Sequence, residues 1–363
     1  MDVGKNVGGY TKPVLVGLLV VIMALVPLAA NNYYLSTLVV IGLNTMVVVG
    51  LGLLMGYAGQ ISLGHAAFFG LGAYASAIIA TRYHVPPILG IVLAAVVTGL
   101  VAYLIGRPTL KLKEHFLALA TLGFGIIIHI IFNEGGEFTG GPSGLTGIPY
   151  LGEGVFPLDN DFKFYYLVWV FTGLTMLFAH NLVNSRVGRA LRAIHGSEVA
   201  AETLGVDTAK YKLQIFVVSA VIASLAGSLY AHYVTFISPS PFGFKTSVEL
   251  VLMAVIGGLT SIWGPLLGAS LVVVLTEALK VVIPMIIPNA GGEFEIIVFG
   301  VILVVVMIFL PNGLTSMPGV IRDKLEARKE ATWALGEELP GELAVAPRPA
   351  ELAPSLSTDL EVK

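Results

Sequence analysis

Residues 55–79 read MGYAGQISLGHAAFFGLGAYASAII, and this stretch decides how the chain is to be folded. It is apolar enough to sit in a membrane, yet it holds Gly56, Gly59, Gly64, Gly70 and Gly72, with Gln60, Ser62 and His65 among them. Each glycine costs a helix roughly 1 kcal/mol against alanine, so a plain lipid-facing span would not be written this way. Small residues let helices approach closely inside a bilayer. A glycine-interrupted segment can also unwind at the midplane and offer backbone groups to a passing solute. Both uses point to the lining of a transport path.

The surroundings fit that reading. The chain has 363 residues, 56% of them hydrophobic and 12% charged, with a mean hydropathy of +0.88. A bilayer core of about 30 Å takes roughly 20 helical residues per crossing. Apolar runs of about that length recur at 13–30, 35–55, 60–80, 86–106, 115–132, 163–183, 213–232, 247–259, 264–284 and 294–311. The first run has no clean small-x-small cleavage site, Leu28 falling at the minus-three position, so it is expected as an uncleaved span. The eighth is the shortest and ends in the turn Gly257-Gly258-Leu259-Thr260. With no cysteine, disulfides, thiolate metal sites and cysteine catalysis are excluded. Nothing in the composition recommends nucleic acid as a partner.

Ten crossings alternate sides, and the distribution of Lys and Arg tests the alternation. With a cytoplasmic N-terminus, the inner segments hold Lys5, Lys12, Arg107, Lys111, Lys113, Arg186, Arg189, Arg192, Lys210 and Lys212. The tail adds Arg322, Lys324, Arg328, Lys329, Arg348 and Lys363, so the inner side takes sixteen of the 20 basic residues. The outer side keeps Arg82, Lys163, Lys245 and Lys280. The expected architecture is therefore an all-α polytopic membrane protein of about ten transmembrane helices with both termini cytoplasmic. Its parts are an N-terminal region with the first span (1–34), a permease core (35–311) and a cytoplasmic, partly disordered tail (312–363). Ile61-Ser62-Leu63-Gly64 after span two and Ile237-Ser238-Pro239-Ser240 after span seven hint at two inverted repeats, a common transporter plan.

The inner loop 184–212, NSRVGRALRAIHGSEVAAETLGVDTAKYK, reads as one or two short amphipathic surface helices. Helical spacing gathers Leu191, Ile194, Val199 and Leu204 on one side and sets Arg189, Arg192, Glu198 and Glu202 elsewhere, with Gly188, Gly196 and Gly205 as punctuation. The loop is either a connector or a docking element for a cytoplasmic partner. No G-x-x-x-x-G-K-[ST] phosphate loop occurs, so the chain does not bind ATP that way. Ionisable residues within spans are functional candidates by default, here His65, His129, Glu249 and Glu277. Each also has a plainer reading. Glu277 and Lys280, three apart, pair on one helix; Glu249 is wetted from outside; His65 is a packed histidine. A chain of carboxylates crossing the bilayer, as a proton-driven carrier would need, is absent.

GYAGQISLGHAAFFGLGAY at 56–74, LALATLGFGIIIHIIFNE at 117–134 and FTGGPSGLTGIP at 138–149 resemble the LivM-type permease subunit of branched-chain amino-acid ABC importers. GRALRAIHGSEVAAETLGVDTAKYKLQIFVVSAVIASLAGSLYA at 188–231 and ELVLMAVIGGLTSIWGPLLGA at 249–269 continue the resemblance, which covers roughly 35–315. It implies a bacterial or archaeal cytoplasmic-membrane permease with a second homologous permease, two cytoplasmic ATP-binding subunits and an external substrate-binding protein as partners. It implies no cofactor, metal or catalytic residue. The implied substrate is Leu, Ile or Val, with urea or short amides as the alternative within the family and a stand-alone carrier or channel outside it. The residues expected on the path are Gly59, Gln60, Ser62, Gly64, His65, Gly70, Ser238 and Glu249. Those expected to dock the ATPase are Arg189, Arg192, Gly196, Glu198, Glu202 and Gly205.

Overall fold

The computed structural model describes residues 23, 25–28, 30–110, 114–152, 160–286, 297, 298, 300, 301, 304, 308 and 313–316. Apart from the last residue of the final turn, these belong to one compact unit, Met1–Thr315. Among the described residues ten α-helices follow in order: α1 Asn32–Gly52, α2 His65–Arg82, α3 Pro87–Thr109, α4 Glu114–Glu134, α5 Asp161–Asn184, α6 Arg186–Gly196, α7 Glu198–Thr203, α8 Thr208–Val234, α9 Phe244–Gly257 and α10 Gly264–Ile286. A π-helical turn, Leu53–Tyr57, prolongs α1. Among the described residues six helical stretches are long and apolar enough to cross a membrane: Asn32–Tyr57, Pro87–Thr109, Phe116–Glu134, Asp161–Asn184, Thr208–Val234 and Gly264–Ile283. α2, diluted by its glycines, and α9, only 14 residues long, complete the bundle. The expected spans one and ten lie largely outside the described residues, as do Lys111, Lys113 and the tail beyond residue 316.

Helix boundaries follow local chemistry. Asp207 accepts a hydrogen bond from the Lys210 N–H and starts α8 at Thr208, five residues before the apolar run begins. Pro86 and Pro87 open α3, where the missing N–H costs nothing. Gly258, at φ +106°, stops α9.

The helices run back and forth between two ends of the bundle. At one end the Tyr57 hydroxyl donates to the Thr260 carbonyl at 2.6 Å, and Thr315 Oγ1 donates to Gly257 O at 3.2 Å. At the other, the Tyr33 hydroxyl donates to Glu277 Oε2 at 2.9 Å, and Lys280 bonds Glu277 Oε1 at 2.6 Å, the pair that the i,i+3 spacing predicts. His232 Nδ1 donates to Pro149 O at 2.8 Å and Tyr233 donates to Asp161 at 2.9 Å at that same end.

α1, α2 and α8 form the centre. In Asn32–Tyr57, 83% of the most apolar stretch is buried, against 22% in α3 and α5. Close approach comes from small residues. A Cβ at Gly72 would lie 2.1 Å from Ser224 O, and one at Gly227 would lie 1.8 Å from Phe69 O. The backbones of α2 and α8 therefore touch, and Ser228 Oγ donates to Gly72 O at 3.0 Å across the contact. α3 presents Gly90, Ala94, Thr98, Ala102 and Gly106, spaced four apart, as its buried face. Its opposite face, with Val92, Val96 and Leu100, is exposed as a lipid-facing surface would be.

Replacing Gly227 by valine should force these backbones apart. Overpacking of this kind costs about 1–3 kcal/mol, so thermal unfolding in detergent should show a clear loss of stability or of monodisperse protein. Gly173→Ala, where a Cβ meets nothing within 4 Å, should leave unfolding unchanged.

Candidate translocation site

A cavity of about 160 Å³ opens between α1, α2, α8 and α9. Val40, Leu43, Phe69, Leu250 and Met253 form its apolar wall, while Asn44, Tyr230, Thr246 and Glu249 supply its polar groups. Asn44 stands midway along an apolar helix and is only half-buried. Glu249 has 29% of its side chain exposed, and its carboxylate lies 3.7 Å from Lys245 Nζ one turn earlier. A charged side chain facing hydrocarbon costs at least about 2.5–3.5 kcal/mol. This face is therefore built to meet water, a solute or another protein rather than lipid.

The glycine-rich stretch behind it is a tight, largely buried turn, with Ile61 exposed, followed by a helix. Residues 58–64 link α1 to α2, and Gly59 takes φ +66°, a value that only glycine adopts without strain. Non-helical backbone inside a membrane protein must find partners, and here it does. Gln60 N–H donates to Leu54 O at 3.1 Å, Leu63 N–H to Thr121 Oγ1 at 3.0 Å, and Ala66 N–H to Ser247 Oγ at 3.2 Å. His65 is fully buried at the start of α2. Its Nδ1 lies 2.9 Å from Ser62 Oγ, and its Nε2 is hydrogen-bonded to Ser219 Oγ of α8. The imidazole thus joins the turn to the central helix.

The loop between α5 and α8 is two capped helices. Ser185 Oγ accepts from Val187 and Gly188 N–H to start α6, and Ser197 Oγ accepts from Ala200 N–H to start α7. Leu191 and Ile194 are buried against the bundle. His195 Nδ1 donates to Gly56 O at 2.9 Å, and its ring packs beside Gly59, 3.6 Å from where a Cβ would stand. Glu198 bonds Lys212 at 2.5 Å, and Glu202 accepts from Thr208 Oγ1 at 2.7 Å. Val199 and Leu204, by contrast, are 73% and 82% exposed.

The family model described as "Branched-chain amino acid transport system / permease component" matches residues 33–309. The chain belongs to this family. It is 29% identical over 273 residues to the high-affinity branched-chain amino acid transport system permease protein LivM of Salmonella typhimurium, and 30% identical over 278 residues to LivM of Escherichia coli. Each alignment covers 69% of this chain and 62% of the relative, so the chain spans less than two thirds of these relatives' length. Permease protein LivH of Escherichia coli is 27% identical over 217 residues, 59% of this chain and 68% of that protein. No solved structure matches.

Within a permease of this family the expected path residues are distributed unevenly. Glu249 lines the cavity, and Gly70 lies one residue beyond its Phe69 wall. Gln60, Ser62, Gly64 and His65 are buried, and Gly59 is packed beside His195. A Cβ on Gly64 would stand 2.3 Å from Thr121 O, so this glycine permits a crossing with α4. Ser238 is half-buried in the loop at the far end, next to the bridge between Leu145 and Ile237. The stretches 56–74 and 236–253 do touch, through Gly70 against Phe242 and Ala66 against Ser247.

On the loop, Arg189 and Arg192 are exposed, and Gly196 has open space around it. Glu198 and Glu202 are engaged with α8, and Gly205 turns the chain at φ +82°. The single apolar side expected for Leu191, Ile194, Val199 and Leu204 is split in two. Ser197 is extended, at φ −163° and ψ 114°, and this breaks the helical phase between Ile194 and Val199. Asn44 and His195 were missed by reading the sequence. A lone amide in the middle of span two was a usable signal for Asn44; nothing local marks His195, because Gly56 is 139 residues away.

Ser219→Ala would strand one nitrogen of a fully buried imidazole, a loss of about 1–3 kcal/mol. Thermal unfolding should register it. Combined with His65→Leu the two costs should be clearly non-additive, since both remove the shared His65–Ser219 hydrogen bond.

Proposed function

We propose that this chain is the membrane-spanning permease subunit of an ATP-binding-cassette importer for branched-chain amino acids in a bacterial or archaeal cytoplasmic membrane. It works with a second homologous permease, two cytoplasmic ATP-binding subunits and an external substrate-binding protein. The observation that carries this reading is the loop α6–α7. It presents Val199 and Leu204 to solvent on an otherwise capped, ion-paired element. Large apolar side chains held out on a rigid loop mark a protein interface. Relatives with the names LivM and LivH, one family and two permeases, support a paired assembly.

In this reading the bundle has ten crossings in two inverted repeats, and the α6–α7 end faces the cytoplasm. Two facts support it. The α6–α7 end gathers Arg107, Arg186, Arg189, Arg192, Lys210 and Lys212, as the positive-inside bias requires. Glu277, late in α10, and Thr315 lie at opposite ends of the bundle, as one further crossing between them requires. The half-exposed polar face at Asn44, Thr246 and Glu249 meets the second permease, and the substrate passes there. A leucine-sized side chain suits the apolar wall, and Glu249 answers its ammonium group. His195 carries motion from the docked ATPase to the turn at Gly56 and Gly59.

The chain alone should hydrolyse no ATP, and liposomes holding it should accumulate leucine only with the partner subunits, ATP and binding protein. Gradient-driven uptake by this chain alone would overturn the importer reading, and uptake of urea in preference to leucine would reassign the substrate. Gly196→Arg adds bulk and charge where the protein itself leaves room. It should leave stability and the ATPase activity of the complex in place while uptake falls by tenfold or more, about 1.4 kcal/mol of coupling.

The path has its own test, made simple by the absence of native cysteines. Single cysteines at Asn44 and Thr246 should react with water-soluble thiol reagents at rates that change with ATP and vanadate. Labelling indifferent to nucleotide would take this face out of the path.

A further inference from the structure

α3 and α5 both approach α8, yet a groove of about 900 Å³ remains where the end of α3, the end of α5 and the start of α8 meet. Tyr103, Leu110, Leu182, Leu213 and Val217 contribute its apolar wall. The groove continues onto the exposed apolar faces of both helices: Val96 and Leu100 on α3, Leu174, Leu177 and Phe178 on α5. Such faces meet hydrocarbon. Its charged rim consists of Arg107, Lys210 and Asp207. Among the described residues the Arg107 and Lys210 side chains have no ion pair or hydrogen bond, while Asp207 caps α8. The other described lysine at this end, Lys212, is buried and held by Glu198.

An apolar furrow open to lipid along its length, with two free cations where the helices end, is complementary to one kind of molecule. We propose that this groove binds an anionic phospholipid, its phosphate between Arg107 and Lys210 and an acyl chain along the wall between α3 and α5. An Arg fork matches phosphate geometry, and basic pockets between helices at the membrane surface select anionic headgroups. Among the described residues the rim carries a net charge of +1 with Asp207 counted, and Asp207, the one carboxylate there that could meet a headgroup ammonium, is already engaged in capping α8. The inference rests only on the membrane character of the bundle, not on what the permease carries.

Native mass spectrometry of the detergent-purified full chain tests it, with phosphatidylglycerol and phosphatidylethanolamine of identical acyl chains as probes. The wild type should retain phosphatidylglycerol preferentially. Each basic residue near the surface contributes about 1 kcal/mol, so Arg107→Gln and Lys210→Gln should each cut the preference about fivefold, and the double variant should abolish it. Both side chains are exposed, so size-exclusion profiles should not change. A second variant, Leu182→Trp, fills the furrow and should lower retention of both lipids together. Equal retention of the two lipids by the wild type would overturn the proposal, since the rim would then select nothing. So would undiminished preference in the double variant.

Discussion

The bundle depends on the crossing of α2 and α8, where Gly72 and Gly227 let two backbones touch. Everything that defines the site is measured from that contact. It fixes His65, at the foot of α2, against Ser219 of α8, and packs Phe69 and Tyr230 against each other in the cavity wall. In a bilayer there is little hydrophobic gain in bringing helices together, because lipid is as apolar as leucine. Close dispersion contact and buried hydrogen bonds must supply the specificity. The Ser228 bond to Gly72 O and the Ser62–His65–Ser219 chain do this at two levels of one crossing. The glycines that weaken α2 as an isolated helix are thus what makes it a partner.

Polar chemistry is concentrated at the two ends and at one stripe between them. At the α6–α7 end, three side-chain caps, Ser185, Ser197 and Asp207, start three helices within 23 residues of chain, counting from Ser185 to Asp207. Glu198 and Glu202 then tie the loop to the first turns of α8. The result is a stiff element instead of a slack connector, tied through His195 to the carbonyl of Gly56. The stripe at Asn44, Thr246 and Glu249, which lines the cavity, is the other departure from an apolar bundle.

The same accounting separates surfaces by what they can face. Val96, Leu100 and Leu174 are exposed and apolar, which suits lipid. Val199 and Leu204 are equally apolar but stand on a loop full of charge, which suits a protein. Asn44 and Glu249 set polar groups into the wall of one cavity on otherwise apolar helices, a face that suits neither hydrocarbon nor a dry core. Burial alone would not distinguish the three; the chemistry of the neighbours does.

The sequence by itself determined the class of the fold, the eight central helices and their alternation, because apolar length and glycine dilution are local properties. It also carried the family, through motifs in order, and the pairing of Glu277 with Lys280, which lie within one turn. Only the tertiary structure decided which glycines line anything. Gly64 and Gly72 are contacts between backbones, a fact that depends on Thr121 and Ser224 arriving from other helices. It decided that Leu191 and Val199 face different surroundings, since one extended residue, Ser197, resets the helical phase. It also joined His195 to Gly56 and Asn44 to Glu249. Residues far apart in the chain share a site only through the crossings between them, and no local periodicity records where those crossings fall.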